Sequence, residues 1–208
     1  MCGIVGYIGN REAKENILNG LKRLEYRGYD SSGLSTFEEN SIVTSKCKGK
    51  ISELEIKVKN REHKGNIGIG HTRWATHGKP NQINAHPHHD YSNKFSLIHN
   101  GIIENHYTIK KFLKEKGVDC ISDTDTEVLV QFISYLYHSE KLKFYDAVKL
   151  ALKEVVGAYG IVIMCHDEPA KIIAARNGSP LVVGLGKNEN YVASDTSAII
   201  DYTRNILF

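Results

Sequence analysis

Three helical stretches follow one another between residues 106 and 157, and strand-like runs crowd both sides of them. No other feature restricts the fold as much. "HYTIKKFLKEKG" (106–117) ends on Gly117, a residue type suited to closing a helix. "TDTEVLVQFISYLY" (124–137) opens with Thr124 three residues ahead of Glu127, the pattern of a capping box, with Asp125 as the alternative cap. "DAVKLALKEVVG" (146–157) is the third. The runs "YGIVIMCH", "AKIIAA", "PLVVGLG" and "NYVAS" then read as strands at short intervals. Ahead of the helices, "GIVGYI" (3–8) reads as a buried strand, and residues 11–24 place Ala13, Ile17, Leu18, Leu21 and Leu24 on one helical face. Residues 33–46 read as a hairpin turning at Glu38 to Asn40, 51–60 as an amphipathic helix, and 66–73 and 94–100 as strands. Alternating βαβ units would put a helix after each strand. Here strands, helices and strands come in blocks, which predicts an α+β layered sandwich with mainly antiparallel sheets.

Charge and cysteine usage narrow the function. With 27 basic and 24 acidic residues the net charge is +3, which makes no electrostatic case for nucleic acid or a membrane surface. The apolar run "AYGIVIMC" is too short to span a bilayer. The start lacks the basic and long apolar segments of a secretory signal. None of the four cysteines stands in a C-x-x-C spacing. A reduced, cytoplasmic setting is the expectation, with the cysteines as thiols.

Cys2 is the residue with most chemistry at stake. It could be a small buried residue at the start of a strand, or a lipid attachment site, although glycine stands third rather than second, where myristoylation requires it. It could also be a nucleophile. Once Met1 is removed, Cys2 carries a thiol and a free α-amine, and an amine of pKa about 7.7–8.0 can act as general base toward a thiol of pKa about 8.5. Three other segments bear on that choice. "IGHTRWATHGKPN" (69–81) crowds Thr72, Trp74, Thr76, His77 and Gly78 around Arg73 at the end of a strand, where a guanidinium could be a solvated charge or a bidentate carboxylate ligand. Asn100-Gly101 after a strand reads as a turn, or as an amide and a glycine N–H facing an oxyanion. Asp123 and Asp125 are helix caps or an ammonium site. His86, His88 and His89 stand close together, but short spacing and neighbouring prolines argue against a metal site and for a surface or loop-packing role.

"MCGIVGYIG", "LEYRGYDSSG", "GHTRWATHGKP", "NAHPH", "HNGIIEN", "SDTDTEV", "GAYGIVIM" and "GSPLVVGLG" occur in this order. Together they resemble the glutaminase domains of class II glutamine amidotransferases, and among these the isomerizing glutamine–fructose-6-phosphate aminotransferase family. The resemblance runs from Cys2 to about Arg204 and implies one glutaminase domain over residues 1–208. It implies the four-layer αββα sandwich of the N-terminal-nucleophile hydrolases. It also implies hydrolysis of L-glutamine to glutamate and ammonia, with no cofactor and no metal. By the same resemblance Cys2 is the nucleophile and its α-amine the base, while Asn100 and the Gly101 N–H form the oxyanion hole. Arg73 holds the substrate carboxylate and Asp125 its ammonium group. Thr76 and His77 orient the substrate, Trp74 lies in a loop over it, and Arg27 and Gly28 lie beside the nucleophile. In the full-length family the partner is a C-terminal sugar isomerase domain, which this chain lacks and which uses the ammonia to make glucosamine 6-phosphate, in a homodimer. Two readings stand beside this one: the ammonia-supplying domain of another class II amidotransferase, and a catalytically silent regulatory domain.

Overall fold

The computed structural model describes residues 2–59, 63–74 and 79–208. The strands are β1 (Gly3–Ile8), β2 (Ser31–Glu38), β3 (Ser41–Lys48), β4 (Ile67–Arg73), β5 (His88–His89), β6 (Phe95–Ile103), β7 (Gly157–Cys165), β8 (Ile172–Asn177), β9 (Val182–Leu185), β10 (Asn190–Ala193) and β11 (Ile206–Leu207). The helices are α1 (Ala13–Leu24), α2 (Ile51–Lys59), α3 (His106–Glu115), α4 (Asp125–Ser139) and α5 (Phe144–Glu154). One sheet runs β11-β9-β10-β1-β4-β2-β3 and the other β5-β6-β7-β8, and every pair of neighbours within them is antiparallel.

Three separate apolar clusters show how the layers stack. Ile17, Leu21 and Leu24 of α1 and Leu54 of α2 pack with Val5 and Leu34 on one face of the larger sheet. Leu129 and Ile133 of α4, Leu113 of α3 and Phe144 of α5 pack with Leu97 and Ile161 on one face of the smaller sheet. Between the two sheets lie Ile4, Ile69, Ile98, Val162 and Met164. The order is helix, sheet, sheet, helix: the αββα sandwich that the resemblance implied.

Local chemistry explains the element ends. Thr124 is the N-cap of α4, and its hydroxyl accepts the Glu127 N–H at 3.2 Å. The Glu127 carboxylate does not close a reciprocal capping box. It accepts the main-chain N–H groups of Ile121 and Ser122, tying the approach segment to the helix. Asp125, freed from capping, becomes the first helical residue. At the end of α3 the Gly117 N–H donates to Lys114 O and the Val118 N–H to Leu113 O, the paired bonds of a Schellman motif.

One local reading changes. Asn100-Gly101 is not a turn after a strand. β6 continues through it to Ile103, with Asn100 opposite Gly160 and Gly101 opposite Tyr159 of β7. Long-range pairing with β7 overrides the turn preference of the dipeptide.

Candidate active site

β1 and β4 are neighbours, and their register sets Gly3 opposite Thr72. Cys2, one residue earlier, therefore meets the end of β4. The Trp74 N–H donates to Cys2 Sγ at 3.2 Å. Burial pushes the thiol above its ordinary pKa, while this hydrogen bond and the Arg73 charge oppose the rise. Gly28 packs against the same junction. A Cβ at Gly28 would lie 2.7 Å from the Arg73 carbonyl carbon and 2.8 Å from the Trp74 nitrogen, so only glycine lets the two backbones approach. The Gly28 carbonyl also accepts the Thr72 hydroxyl.

The smaller sheet supplies the opposite wall. Asn100 Nδ2 donates to the Cys2 carbonyl at 2.9 Å. Gly101 has φ +125°, and a Cβ there would stand 2.0 Å from the Ala158 carbonyl oxygen. The third wall is the start of α4, where Asp125 Oδ2 accepts the Ile103 N–H at 2.8 Å. Cys2, Arg73, Trp74, Asn100, Gly101 and Asp125 thus line one cleft. Arg73 is only 5% exposed. Burial lowers its pKa, opposed by Cys2 and by the nearby carboxylates Asp30, Asp125 and Asp123. A guanidinium still carries its charge at neutral pH. The cleft therefore presents a thiol, a cation, an anion and amide donors within reach of one small zwitterion.

The other sequence-derived residues fall elsewhere. Arg27 is outside the cleft lining and pairs with Asp195, while its guanidinium also donates to the Ser194 carbonyl. Ser194 in turn binds the main chain of Ile4, so Arg27 braces β1 two residues from Cys2. Trp74 is 46% exposed and meets Tyr29 edge-on at 5.5 Å. Thr76 and His77 lie outside the described residues. Asp123 accepts an amide N–H from Asn84.

His86, His88 and His89 are not a surface cluster. His86 and His88 are buried, and His89 is partly so. The His86 ring stacks on His71 at 4.2 Å and meets His88 edge-on at 4.8 Å. Each also has a hydroxyl partner: His86 with Thr126, His88 with Thr124 and His89 with Thr44. Among the described residues no three His, Cys, Asp or Glu side chains converge as a metal site would require. Sequence reading passed over His71, His99 and Thr126. The signal for His71 was present: period 2 along β4 puts it on the same face as Arg73.

Larger cavities lie elsewhere, two of them about 650 Å³ each. One of these two is walled mainly by apolar side chains such as Tyr7, Phe144 and Ile172. The other is lined by Lys46, whose pKa burial pushes down to about 8, with His88, His89 and Glu127. Neither has a cysteine in its wall. Among the described residues no helix is long and apolar enough to cross a membrane.

Comparison with known proteins identifies the family. The profile of the glutamine amidotransferase domain matches residues 71–201. Glutamine–fructose-6-phosphate aminotransferase [isomerizing] of Bacteroides thetaiotaomicron is 52% identical over 209 residues, covering 100% of this chain and 34% of that protein. The enzyme of the same name from Pyrococcus horikoshii is 49% identical over 212 residues, covering 100% and 35%. The chain spans about a third of the length of the curated relatives it matches. Among solved structures, glutamine phosphoribosylpyrophosphate amidotransferase from B. subtilis superimposes with a TM-score of 0.85 at 30% identity, over 97% of this chain and 44% of that one. This chain belongs to the class II glutamine amidotransferase domains and is a homologue of the amidotransferase domain of glutamine–fructose-6-phosphate aminotransferase.

Proposed function

We propose that this chain hydrolyses L-glutamine to L-glutamate and ammonia through a thioester on Cys2. The observation that carries the reading is the convergence of the Cys2 thiol, Arg73, Asp125 and the Asn100 amide on one cleft. Glutamine is a zwitterion plus a neutral amide. Arg73 takes the α-carboxylate and Asp125 the α-ammonium, which lays the side-chain amide along the thiol. Removal of Met1 frees the Cys2 amine, which accepts the thiol proton as Sγ attacks the amide carbon. The new S–C bond leaves an oxyanion, to which Asn100 Nδ2 and the Gly101 N–H donate. The protonated amine then gives its proton to the departing nitrogen. Ammonia leaves as the C–N bond breaks, and the thioester remains. Water, deprotonated by the same amine, attacks the thioester and releases glutamate with the thiol restored. Trp74, at the edge of the cleft, limits water access over the bound substrate, and Thr76 and His77 contribute to orienting it.

In the longer protein the ammonia converts fructose 6-phosphate to glucosamine 6-phosphate at a C-terminal sugar isomerase domain, within a homodimer. The relatives' name, glutamine–fructose-6-phosphate aminotransferase [isomerizing], supports fructose 6-phosphate as the acceptor in this reading. A reducing, cytoplasmic setting agrees with all four cysteines being free thiols.

The test is glutamine hydrolysis by protein whose intact mass reports the state of Met1. Cys2→Ala abolishes turnover. Protein that keeps Met1 has the thiol but an amide in place of the base, and turns over slowly. Full activity with Met1 retained would overturn the mechanism.

A further inference from the structure

His71 lies wholly buried in β4, behind the cleft. Its Nε2 is 2.9 Å from Asn100 Oδ1 and 3.1 Å from the main-chain oxygen of His99. A main-chain carbonyl can only accept, so Nε2 carries the proton and shares it between the two oxygens. The tautomer then leaves Nδ1 bare, and Nδ1 has no hydrogen-bond partner among the described residues.

This settles which way the Asn100 amide faces. Its oxygen receives the His71 proton, and its nitrogen, at the other end, donates to the Cys2 carbonyl. An amide nitrogen has two hydrogens, so a second remains for the cleft. A flipped amide would oppose N–H to N–H at His71 and oxygen to oxygen at Cys2. The His71 ring is itself held. It stacks on His86, whose Nε2 meets the Thr126 hydroxyl at 2.8 Å, and the same hydroxyl meets His99 Nδ1 at 3.0 Å.

We propose that His71 is a positioning residue for Asn100: its Nε2–H pins the amide oxygen and thereby aims the amide N–H at the developing oxyanion before substrate arrives. The inference rests on the reading of Asn100 as an oxyanion donor, and the experiment separates the two.

Compare His71→Gln, His71→Asn, Asn100→Ala and the pair His71→Asn/Asn100→Ala, each checked for folding by circular dichroism. Glutamine and asparagine are both neutral amides. Only glutamine has the reach to place an N–H where Nε2 stands. Measure kcat and KM for glutamine hydrolysis, and the affinity for two ligands. One is glutamate. The other is the γ-aldehyde of glutamate, to which the thiol adds: the S–C bond forms, the carbonyl π bond breaks, and the oxygen takes up the thiol proton at the oxyanion position. Asn100→Ala loses about 10²–10³-fold in kcat. His71→Asn loses at least about tenfold in kcat and in aldehyde affinity, with KM and glutamate affinity within about threefold, since these follow ground-state contacts. His71→Gln recovers most of both. The double variant is no worse than Asn100→Ala alone, because His71 acts only through Asn100. Wild-type kcat and aldehyde affinity in folded His71→Asn overturn the proposal, as does a His71 loss that adds to that of Asn100→Ala. If His71→Asn does not fold, a His71→Gln enzyme as impaired as Asn100→Ala overturns it instead. Unchanged kcat in Asn100→Ala sinks the oxyanion reading itself, and the proposal with it.

Discussion

Acidification from pH 7 to pH 5 should strip this fold of several kcal/mol, because its interior holds histidines that cannot take up protons. Burial pushes the His71 pKa down to about 3 and that of His89 to about 4, and carries His86 and His88 well below the ordinary value. His99 is lowered too, by burial, with Asp125 opposing. In the unfolded chain each titrates near 6.5. Below that pH the unfolded state binds protons that the native state refuses, so stability falls with falling pH. The loss starts near the unfolded value and stops for each group only at its folded pKa. Each such histidine contributes a slope of about 1.36 kcal/mol per pH unit, or about 2 kcal/mol between pH 6.5 and 5. His71 and His89 alone account for about 4 kcal/mol, against a total of roughly 5–15 kcal/mol for an ordinary domain. Other shifted groups act outside this window or weakly. The Asp167 pKa, held at about 2 chiefly by Lys94, matters only at lower pH, and Lys46 near 8 only at higher pH. His166, raised first by its bond to the Asn40 carbonyl, opposes the trend, but it is solvent-facing. The assay is urea denaturation at half-unit steps of pH, read as midpoint and slope. A loss of about 4 kcal/mol or more by pH 5, steepest below 6.5, is the expected result. A stability curve flat between pH 7 and 5 would show that these rings take up protons within the native fold.

Gly101→Ala forces a side chain into a φ of +125° and against the Ala158 carbonyl; it should cost roughly 1–3 kcal/mol in thermal unfolding and lower kcat as well. If Arg73 holds the substrate carboxylate as proposed, Arg73→Ala removes a charge-assisted pair of about 1.5–3 kcal/mol, and steady-state kinetics should show KM rising about ten- to a hundredfold with kcat changing less. Thr124→Ala deletes the N-cap of α4 and the hydroxyl partner of His88; a loss of about 1 kcal/mol in denaturant titration is expected from the cap alone.

Much of this protein could be read along the chain, because the signals are local. Block order distinguished a layered α+β sandwich from alternating units. The N-cap Thr124, the closing Gly117 and the apolar stripe of α1 each act within a few residues, and the elements fall where those signals put them. The chemical potential of Cys2 was also visible, since one residue supplies both groups. What tertiary structure alone decided is which distant residues meet. The β1–β4 register brings residue 2 to residue 74, and the β6–β7 ladder turns an apparent Asn-Gly turn into the wall of a cleft. A dipeptide's preference is worth little against nine paired residues. His86 and His99 are both buried, and both meet the Thr126 hydroxyl at the start of α4, a shared partner far from either in the chain. Nor could a linear reading show that His71 faces Asn100, because hydrogen bonding across 29 positions depends on two sheets meeting face to face. Contacts of that kind have no local signature: their partners are chosen by the packing of whole layers, after each layer has formed its own pattern.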